Sequence, residues 1–210
     1  MPVPVKICGL TRPADAALAA RLGARYLGVI FAGGPRLVTR TQAREVVASA
    51  GSTPVIGVFG SQGTDEILEV CEDTGLQGVQ LHDGASSETV GRLRSRGLLV
   101  LVTQRLNSPV DLMRLDDLKA TGAPVLIEAK VPGQLGGSGV ALPHELARSA
   151  RIRLAGHTMF LAGGLTPETV AAAVRVVEPD AVDVSSGVEQ IPGIKDHQRM
   201  ARFLEVLGWV

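Results

Sequence analysis

The chain has few aromatic residues and only two cysteines. Phe, Trp and Tyr make up 3% of its 210 residues, too few for the stacking platforms that bind single-stranded nucleic acid. Cys8 and Cys71 are far apart and match no metal-binding or redox spacing. His144, His157 and His197 show no metal spacing either. We therefore predict no metal site and a reducing compartment.

An excess of charge of one sign and long apolar runs are also missing. Lys plus Arg and Asp plus Glu balance at 21 each, which argues against a nucleic-acid or membrane-surface partner. No segment reaches the roughly 18 apolar residues of a membrane helix, and residues 1–4 contain no charged leader. We predict a cytoplasmic protein that acts on a small molecule. The absence of a linker predicts one domain over residues 1–210.

Short apolar runs alternate along the chain with stretches of helical periodicity. The runs cover residues 3–7, 26–31, 54–59, 78–81, 98–102, 124–127, 159–162 and 181–184. The helical stretches include residues 14–22, 41–50, 64–73, 86–94, 111–118, 167–177 and 195–207. Runs of Val, Ile and Leu without alternation indicate strands buried on both faces, as in a parallel sheet covered by helices. Eight such runs in 210 residues favour an α/β fold of the (β/α)8 type, a TIM barrel, over a doubly wound sheet.

Side chains capable of proton transfer follow two of these runs. Cys8 ends the first run and precedes Gly9, and Glu128 ends the sixth. Glycine-rich loops follow at residues 136–139 and 162–164. Because the carboxyl ends of barrel strands carry the active site, this pattern predicts proton transfer on a phosphorylated substrate.

The alternation of side chains along a strand predicts one buried ion pair. Lys6 lies on the same strand face as Cys8, and Asp183 lies on the face of the eighth strand that also carries Ser185. The first and eighth strands are neighbours in a closed barrel, so an inward Lys6 can be neutralised by an inward Asp183. Such a pair is most simply a structural element of the barrel.

Six segments carry a resemblance to a known family. They are Lys6-Ile7-Cys8-Gly9-Leu10-Thr11, Gly57-Val58-Phe59, Val79-Gln80-Leu81-His82, Gly136-Gly137-Ser138-Gly139, Leu161-Ala162-Gly163-Gly164-Leu165-Thr166-Pro167 and Val182-Asp183-Val184-Ser185-Ser186-Gly187-Val188-Glu189. With them the chain resembles the phosphoribosylanthranilate isomerases of tryptophan biosynthesis over residues 6–195. The resemblance implies a (β/α)8 barrel that converts N-(5-phosphoribosyl)anthranilate into 1-(2-carboxyphenylamino)-1-deoxyribulose 5-phosphate. This isomerisation is an Amadori rearrangement that needs no cofactor.

The resemblance also implies a role for each candidate site residue. Cys8 is the general base that removes the C2 proton, and Glu128 is the candidate general acid for the ring oxygen, because burial raises the pKa of a carboxyl group. Arg36 corresponds to the arginine that grips the anthranilate carboxylate, with Arg40 as its rival in the same loop. Phosphate is expected at the backbone of the last two barrel loops, which contain Gly163, Gly164, Ser185, Ser186 and Gly187.

Two departures from the family leave alternatives open. Glu128 stands where the family has aspartate, and the loop before Arg36 lacks the family's serine. One alternative is the related phosphoribosyl isomerase of the histidine pathway, although that enzyme has an aspartate base where this chain has Cys8. Another is a non-catalytic barrel that binds phosphorylated metabolites. His82 is expected either to line the pocket or to be structural, and we expect a monomer or a homodimer.

Overall fold

The computed structural model describes residues 2–82, 84–129 and 141–209. Its strands are β1 (Val5–Ile7), β2 (Tyr26–Ile30), β3 (Val55–Phe59), β4 (Gly78–Leu81), β5 (Leu99–Leu106), β6 (Val125–Ala129), β7 (Met159–Leu161), β8 (Ala181–Val184), β9 (Glu189–Ile191) and β10 (Ile194–Lys195). Its α-helices are α1 (Pro13–Arg21), α2 (Arg40–Ser49), α3 (Thr64–Thr74), α4 (Ser87–Arg94), α5 (Arg114–Ala120), α6 (His144–Arg153), α7 (Val170–Val177) and α8 (His197–Glu205).

The first eight strands form a closed parallel barrel. Each strand pairs with the next one, and β8 closes the ring by pairing with β1. In that last pair Lys6 lies opposite Asp183. The predicted (β/α)8 barrel is therefore confirmed, and every strand of the ring overlaps a predicted apolar run.

The apolar core has two layers because every barrel strand is covered on both faces. The larger layer lies between strands and helices and includes Val5, Ile7 and Val125. A smaller cluster fills the barrel interior and consists of Leu101, Leu126, Phe160, Ala162 and Ala181. Since side chains alternate along a strand, Glu128 shares the inward face of β6 with Leu126.

The structure differs from the predicted elements at several places. Helix α5 begins at Arg114, three residues later than predicted, after a 3₁₀ helix over Pro109–Met113. Strand β5 runs on to Leu106, four residues past its predicted end, because its polar residues Thr103 and Gln104 continue the pairing with β6. Helix α7 begins three residues later than predicted, after a turn in which the Glu168 N–H donates to Thr166 Oγ1. Helix α6 and the antiparallel hairpin of β9 and β10 were not predicted.

A short 3₁₀ helix, Ser186–Val188, connects β8 to that hairpin. The hairpin returns the chain to α8, so Lys195, predicted as helical, lies in β10 instead. Within the described ranges no helix has both the length and the apolar character needed to cross a membrane.

Candidate active site

A cavity of about 560 Å³ opens at the carboxyl ends of the barrel strands. Every predicted catalytic or substrate-binding residue that the structure describes lines it: Cys8, Arg36, Glu128, Gly163, Gly164, Ser185, Ser186 and Gly187. Gln80, His82 and Asp183 line it as well. The cavity position agrees with the usual place of chemistry in this fold.

Cys8 follows β1 directly and is a free, buried thiol. Its backbone N–H donates to the Val184 carbonyl at 2.8 Å, which extends the β1–β8 pairing to the thiol. Burial raises the pKa of Cys8, whereas the ammonium of Lys6 acts in the opposite direction. The net rise keeps Cys8 protonated at neutral pH in the unliganded protein.

Lys6 is fully buried beneath the cavity and has three polar neighbours. Its Nζ donates to Asp183 Oδ1 at 2.7 Å and to Gln80 Oε1 at 2.9 Å. Burial lowers the pKa of Lys6, but Asp183 and Cys8 together raise it above its usual range. The predicted Lys6–Asp183 pair is therefore confirmed, and its position next to the thiol gives it an electrostatic effect on the site.

Because Gly28 on β2 has no side chain, it leaves room for both the Cys8 thiol and the Lys6 ammonium. A Cβ at this position would lie 2.8 Å from Cys8 Sγ and 3.2 Å from Lys6 Nζ. Glycine is required here by close approach, since its absent side chain lets both groups reach the same volume.

Glu128 lies on β6 with 8% of its surface exposed. Burial, reinforced by the negative charge of Asp183, raises the pKa of Glu128 to about 7. Nε2 of His82, which follows β4, lies 3.3 Å from Glu128 Oε1. Glu128 is thus a carboxyl group that holds a proton close to neutral pH.

Arg36 lies in the loop after β2 and its guanidinium is held by Glu189. Nε of Arg36 donates to Glu189 Oε1 at 2.9 Å, and Nη2 donates to Oε2 at 2.8 Å. Both side chains are nearly inaccessible to solvent, with 9% and 4% exposed. The rival Arg40 instead begins α2 and forms an exposed ion pair with Glu69, so the structure separates the two arginines clearly.

The last two barrel loops present backbone to the cavity. Gly163 and Gly164 adopt positive φ angles of 90° and 65°, which glycine allows at little cost. A Cβ at Gly187 would overlap the carbonyl oxygen of Leu165, so the 3₁₀ helix after β8 packs closely against the loop after β7. The buried Ser185 Oγ has no hydrogen-bond partner among the described residues.

Gln80 lines the cavity, and Glu189 and Lys195 lie next to its residue Arg36, yet none of the three was predicted as a site residue. Gln80 and Glu189 stood in the segments that carry the family resemblance, and Lys195 was placed in a helix. Gln80 and Glu189 act through contacts with residues distant in sequence, Lys6–Gln80 being 74 residues apart and Arg36–Glu189 153 apart. The Lys195 side chain instead contacts Glu189 and the Ser185 carbonyl, which are close to it in the chain. The family motifs contain Gln80 and Glu189, but no local sequence pattern indicated that these residues contact Lys6 and Arg36.

The glycine-rich segment 136–139 lies outside the described residues. Among the residues that are described, no group of three or more His, Cys, Asp or Glu side chains is arranged to hold a metal ion.

Comparison with known proteins gives consistent similarities. Residues 5–206 match the family model described as N-(5′-phosphoribosyl)anthranilate isomerase. The N-(5′-phosphoribosyl)anthranilate isomerase of Nostoc punctiforme is 36% identical over 208 residues, covering 97% of this chain and 98% of that protein. The crystal structure of the Thermotoga maritima phosphoribosyl anthranilate isomerase superposes with a TM-score of 0.87 at 32% identity, covering 99% of this chain and 100% of that one.

A further similar structure contains a ligand. It is a phosphoribosyl anthranilate isomerase in complex with reduced 1-(o-carboxyphenylamino)-1-deoxyribulose 5-phosphate. It is 31% identical to this chain with a TM-score of 0.84, and the match covers 99% of this chain and all of the other.

Proposed function

This chain belongs to the N-(5′-phosphoribosyl)anthranilate isomerase family, and from that premise we propose that Cys8 is its general base and Glu128 its general acid. The family assignment makes the chain an isomerase of tryptophan biosynthesis. The observation that carries the proposal is the pair of buried proton-transfer groups, a thiol and a carboxyl, that line one cavity at the carboxyl ends of β1 and β6.

The first step opens the furanose ring of the substrate. Glu128 donates its proton to the ring oxygen as the bond from that oxygen to C1 breaks, which leaves a protonated Schiff base between C1 and the anthranilate nitrogen. A pKa of about 7 supports this role, because a large fraction of Glu128 then carries the proton at neutral pH. The longer side chain takes the place of the family's aspartate.

The second step removes a proton from C2. The cationic Schiff base acidifies this proton, and the Cys8 thiolate, whose own proton has passed to solvent, accepts it to give the enolamine. Loss of the C2 hydroxyl proton to solvent and protonation of C1 then give the ketose product. Burial raises the pKa of Cys8 in the unliganded protein, so the thiolate needs nearby positive charge to form. Lys6 supplies one such charge and the cationic intermediate supplies a second, which acts only when the base is required. Both steps are proton transfers, consistent with a reaction without a cofactor.

Substrate binding uses the two ends of the cavity. The similar complex holds a ligand with a phosphate and a carboxyphenyl group, and the substrate of this chain carries the same two anions. The loops that contain Gly163–Gly164 and Ser185–Gly187 offer backbone to the phosphate. Arg36 lies in the same cavity and receives the anthranilate carboxylate.

The test separates binding from chemistry with two thiol variants. Cys8→Ser should bind the reduced product analogue within about threefold of the wild type while its turnover falls by about 10²- to 10⁴-fold, because a hydroxyl is a far weaker base. Cys71→Ser is the matched control, since Cys71 is also a buried free thiol but lies on α3 away from the cavity. Retention of more than about a tenth of the turnover by Cys8→Ser would exclude Cys8 as the base.

The same assay distinguishes the remaining alternatives. Tight binding of the analogue by the wild-type protein without turnover would indicate a metabolite-binding barrel. Turnover of the histidine-pathway substrate in place of phosphoribosylanthranilate would indicate the related isomerase. Cytoplasmic location, a single domain and a monomeric or homodimeric state stay predictions.

A further inference from the structure

The hairpin of β9 and β10 carries two buried charges into the active-site region. Glu189 and Lys195 are paired across the hairpin, and the Lys195 side chain has no exposed surface. Lys195 Nζ donates to Glu189 Oε1 at 2.9 Å and to the Ser185 carbonyl at 3.1 Å. The hairpin thus joins the loop after β2, through Arg36, to the loop after β8.

The Glu189 carboxylate is saturated with donors. Oε1 accepts from Arg36 Nε, Lys195 Nζ and the Gly193 N–H, and Oε2 accepts from Arg36 Nε and Nη2. Burial raises the pKa of Glu189, but the bonds to Arg36 and the charge of Lys195 outweigh it and lower the pKa overall. Glu189 therefore stays ionised.

The bidentate ion pair between Arg36 and Glu189 fixes the orientation of the guanidinium. It occupies the edge formed by Nε and Nη2 and leaves the two N–H groups of Nη1 outside the ion pair. The aliphatic part of the Arg36 side chain packs against Gly9, where a Cβ would lie 2.6 Å from Arg36 Cδ. Gly9 packing holds the aliphatic part of Arg36 and Glu189 holds one edge of its guanidinium, so the guanidinium has little freedom to rotate.

Charge balance explains why a lysine accompanies the pair. An ion pair of Arg36 and Glu189 alone is neutral, and its attraction for a substrate carboxylate is largely cancelled at a distance. Burial lowers the pKa of Lys195 and Glu189 opposes that shift; in its protonated form Lys195 gives the three-residue cluster a net charge of plus one. Burial raises the pKa of Cys8, and the charge of Lys195 partly opposes that rise, so the charge of Lys195 acts on the cavity.

We propose that Glu189 is a positioning residue that aims Arg36 at the anthranilate carboxylate, and that Lys195 keeps the resulting cluster cationic. The inference rests on the proposed role of Arg36 and extends it to a cluster of three residues. It accounts for the hairpin, which the barrel itself does not need, as the element that delivers two charges to one arginine.

The experiment compares two ligands on the intact protein. The probes are the reduced product analogue and its counterpart without the carboxylate, and calorimetry gives the ratio of their affinities. Lys195→Met should lower this carboxylate preference by about tenfold, the scale of one charged hydrogen bond. Glu189→Gln should lower it as well, because the loss of the contacts that orient Arg36 outweighs the positive charge that the cluster gains. In an Arg36→Ala background Glu189→Gln should not lower the ratio further, because no guanidinium is left to orient. A purely structural role would weaken both ligands equally and leave the ratio unchanged.

Controls keep the two proposals distinguishable. Arg36→Ala alone must lower the carboxylate preference; if it does not, the role of Arg36 fails and the cluster proposal falls with it. If Arg36→Ala lowers the ratio while folded Glu189→Gln and Lys195→Met leave it within about twofold, only the cluster proposal is overturned. Arg40→Ala, which removes an exposed arginine outside the cavity, should leave the ratio unchanged. Should Glu189→Gln not fold, Glu189→Asp replaces it and should also lower the preference.

Discussion

Replacing Glu128 by glutamine should make the protein more stable and less active, with the gain in stability confined to neutral and alkaline pH. Glutamine keeps the shape of the side chain but carries no charge and no transferable proton. Glu128 is 8% exposed, so ionising it in the folded protein means burying a negative charge. The substitution removes that cost.

The size of the effect follows from the pKa of the buried carboxyl group. Glu128 titrates at about 7 in the folded protein against an ordinary value of 4.5. Between these values the native state binds more protons than the unfolded state, so stability falls as pH rises and stops falling above the folded-state pKa. The wild type should therefore lose about 3 kcal/mol at pH 8 and less than about 1 kcal/mol at pH 5.

Urea unfolding at pH 5 and pH 8 measures this difference directly. Glu128→Gln should gain about 3 kcal/mol over the wild type at pH 8 and little at pH 5. Effects of the amide on packing are the same at both pH values and cancel in the comparison. Glu72→Gln, at an exposed position on α3, is the control and should show no such dependence. A gain that does not change with pH would refute the raised pKa of Glu128.

Turnover of the same variant tests the catalytic half of the reasoning. Loss of the proton donor should lower the turnover of phosphoribosylanthranilate by about 10²- to 10⁴-fold. A variant that is stabilised at pH 8 but turns over within threefold of the wild type would mean that another group or water protonates the ring oxygen. Stability and activity are expected to oppose each other at this position.

Two further predictions concern the geometry of the site. Glu128→Asp should lower turnover, because the surroundings have formed around the longer side chain and a shift of about 1 Å can cost on the order of 100-fold; a steady-state rate above the wild type would contradict this. Gly28→Ala should lose about 1–3 kcal/mol of stability by urea unfolding and most of its turnover, since its methyl group would lie 2.8 Å from Cys8 Sγ. Gly91→Ala, on α4 with no atom within 4 Å of its added Cβ, should instead be neutral or stabilising.

The predicted Lys6–Asp183 pair shows what the alternation of side chains along a strand can predict. Side-chain alternation and the neighbouring places of the first and last strands were enough to pair the two charges, and the structure joins them at 2.7 Å. The same reasoning could not identify Gln80, the other residue that accepts a hydrogen bond from Lys6. β4 lies across the barrel interior from β1, and contacts across the interior depend on the shape of the closed barrel.

Helix α6 and the hairpin of β9 and β10 mark where local signals were weak. Helix α6 carries three arginines and few apolar side chains, so it has little helical periodicity to detect. The hairpin strands are three and two residues long, too short for an alternation pattern to stand out. Both elements depend on packing against the barrel.

The sequence by itself indicated the barrel, because apolar runs buried on both faces are typical of a parallel sheet covered by helices and their number, eight, favours the closed barrel over a doubly wound sheet. It also determined the place of Cys8 and Glu128, because a strand end in this fold opens into the active site. Only the tertiary structure decided the state of these groups. The pKa of Glu128 depends on burial and on Asp183, and the orientation of Arg36 depends on Glu189. Those effects act over a few ångströms between residues far apart in the chain, and only the folding of the barrel brings these residues together.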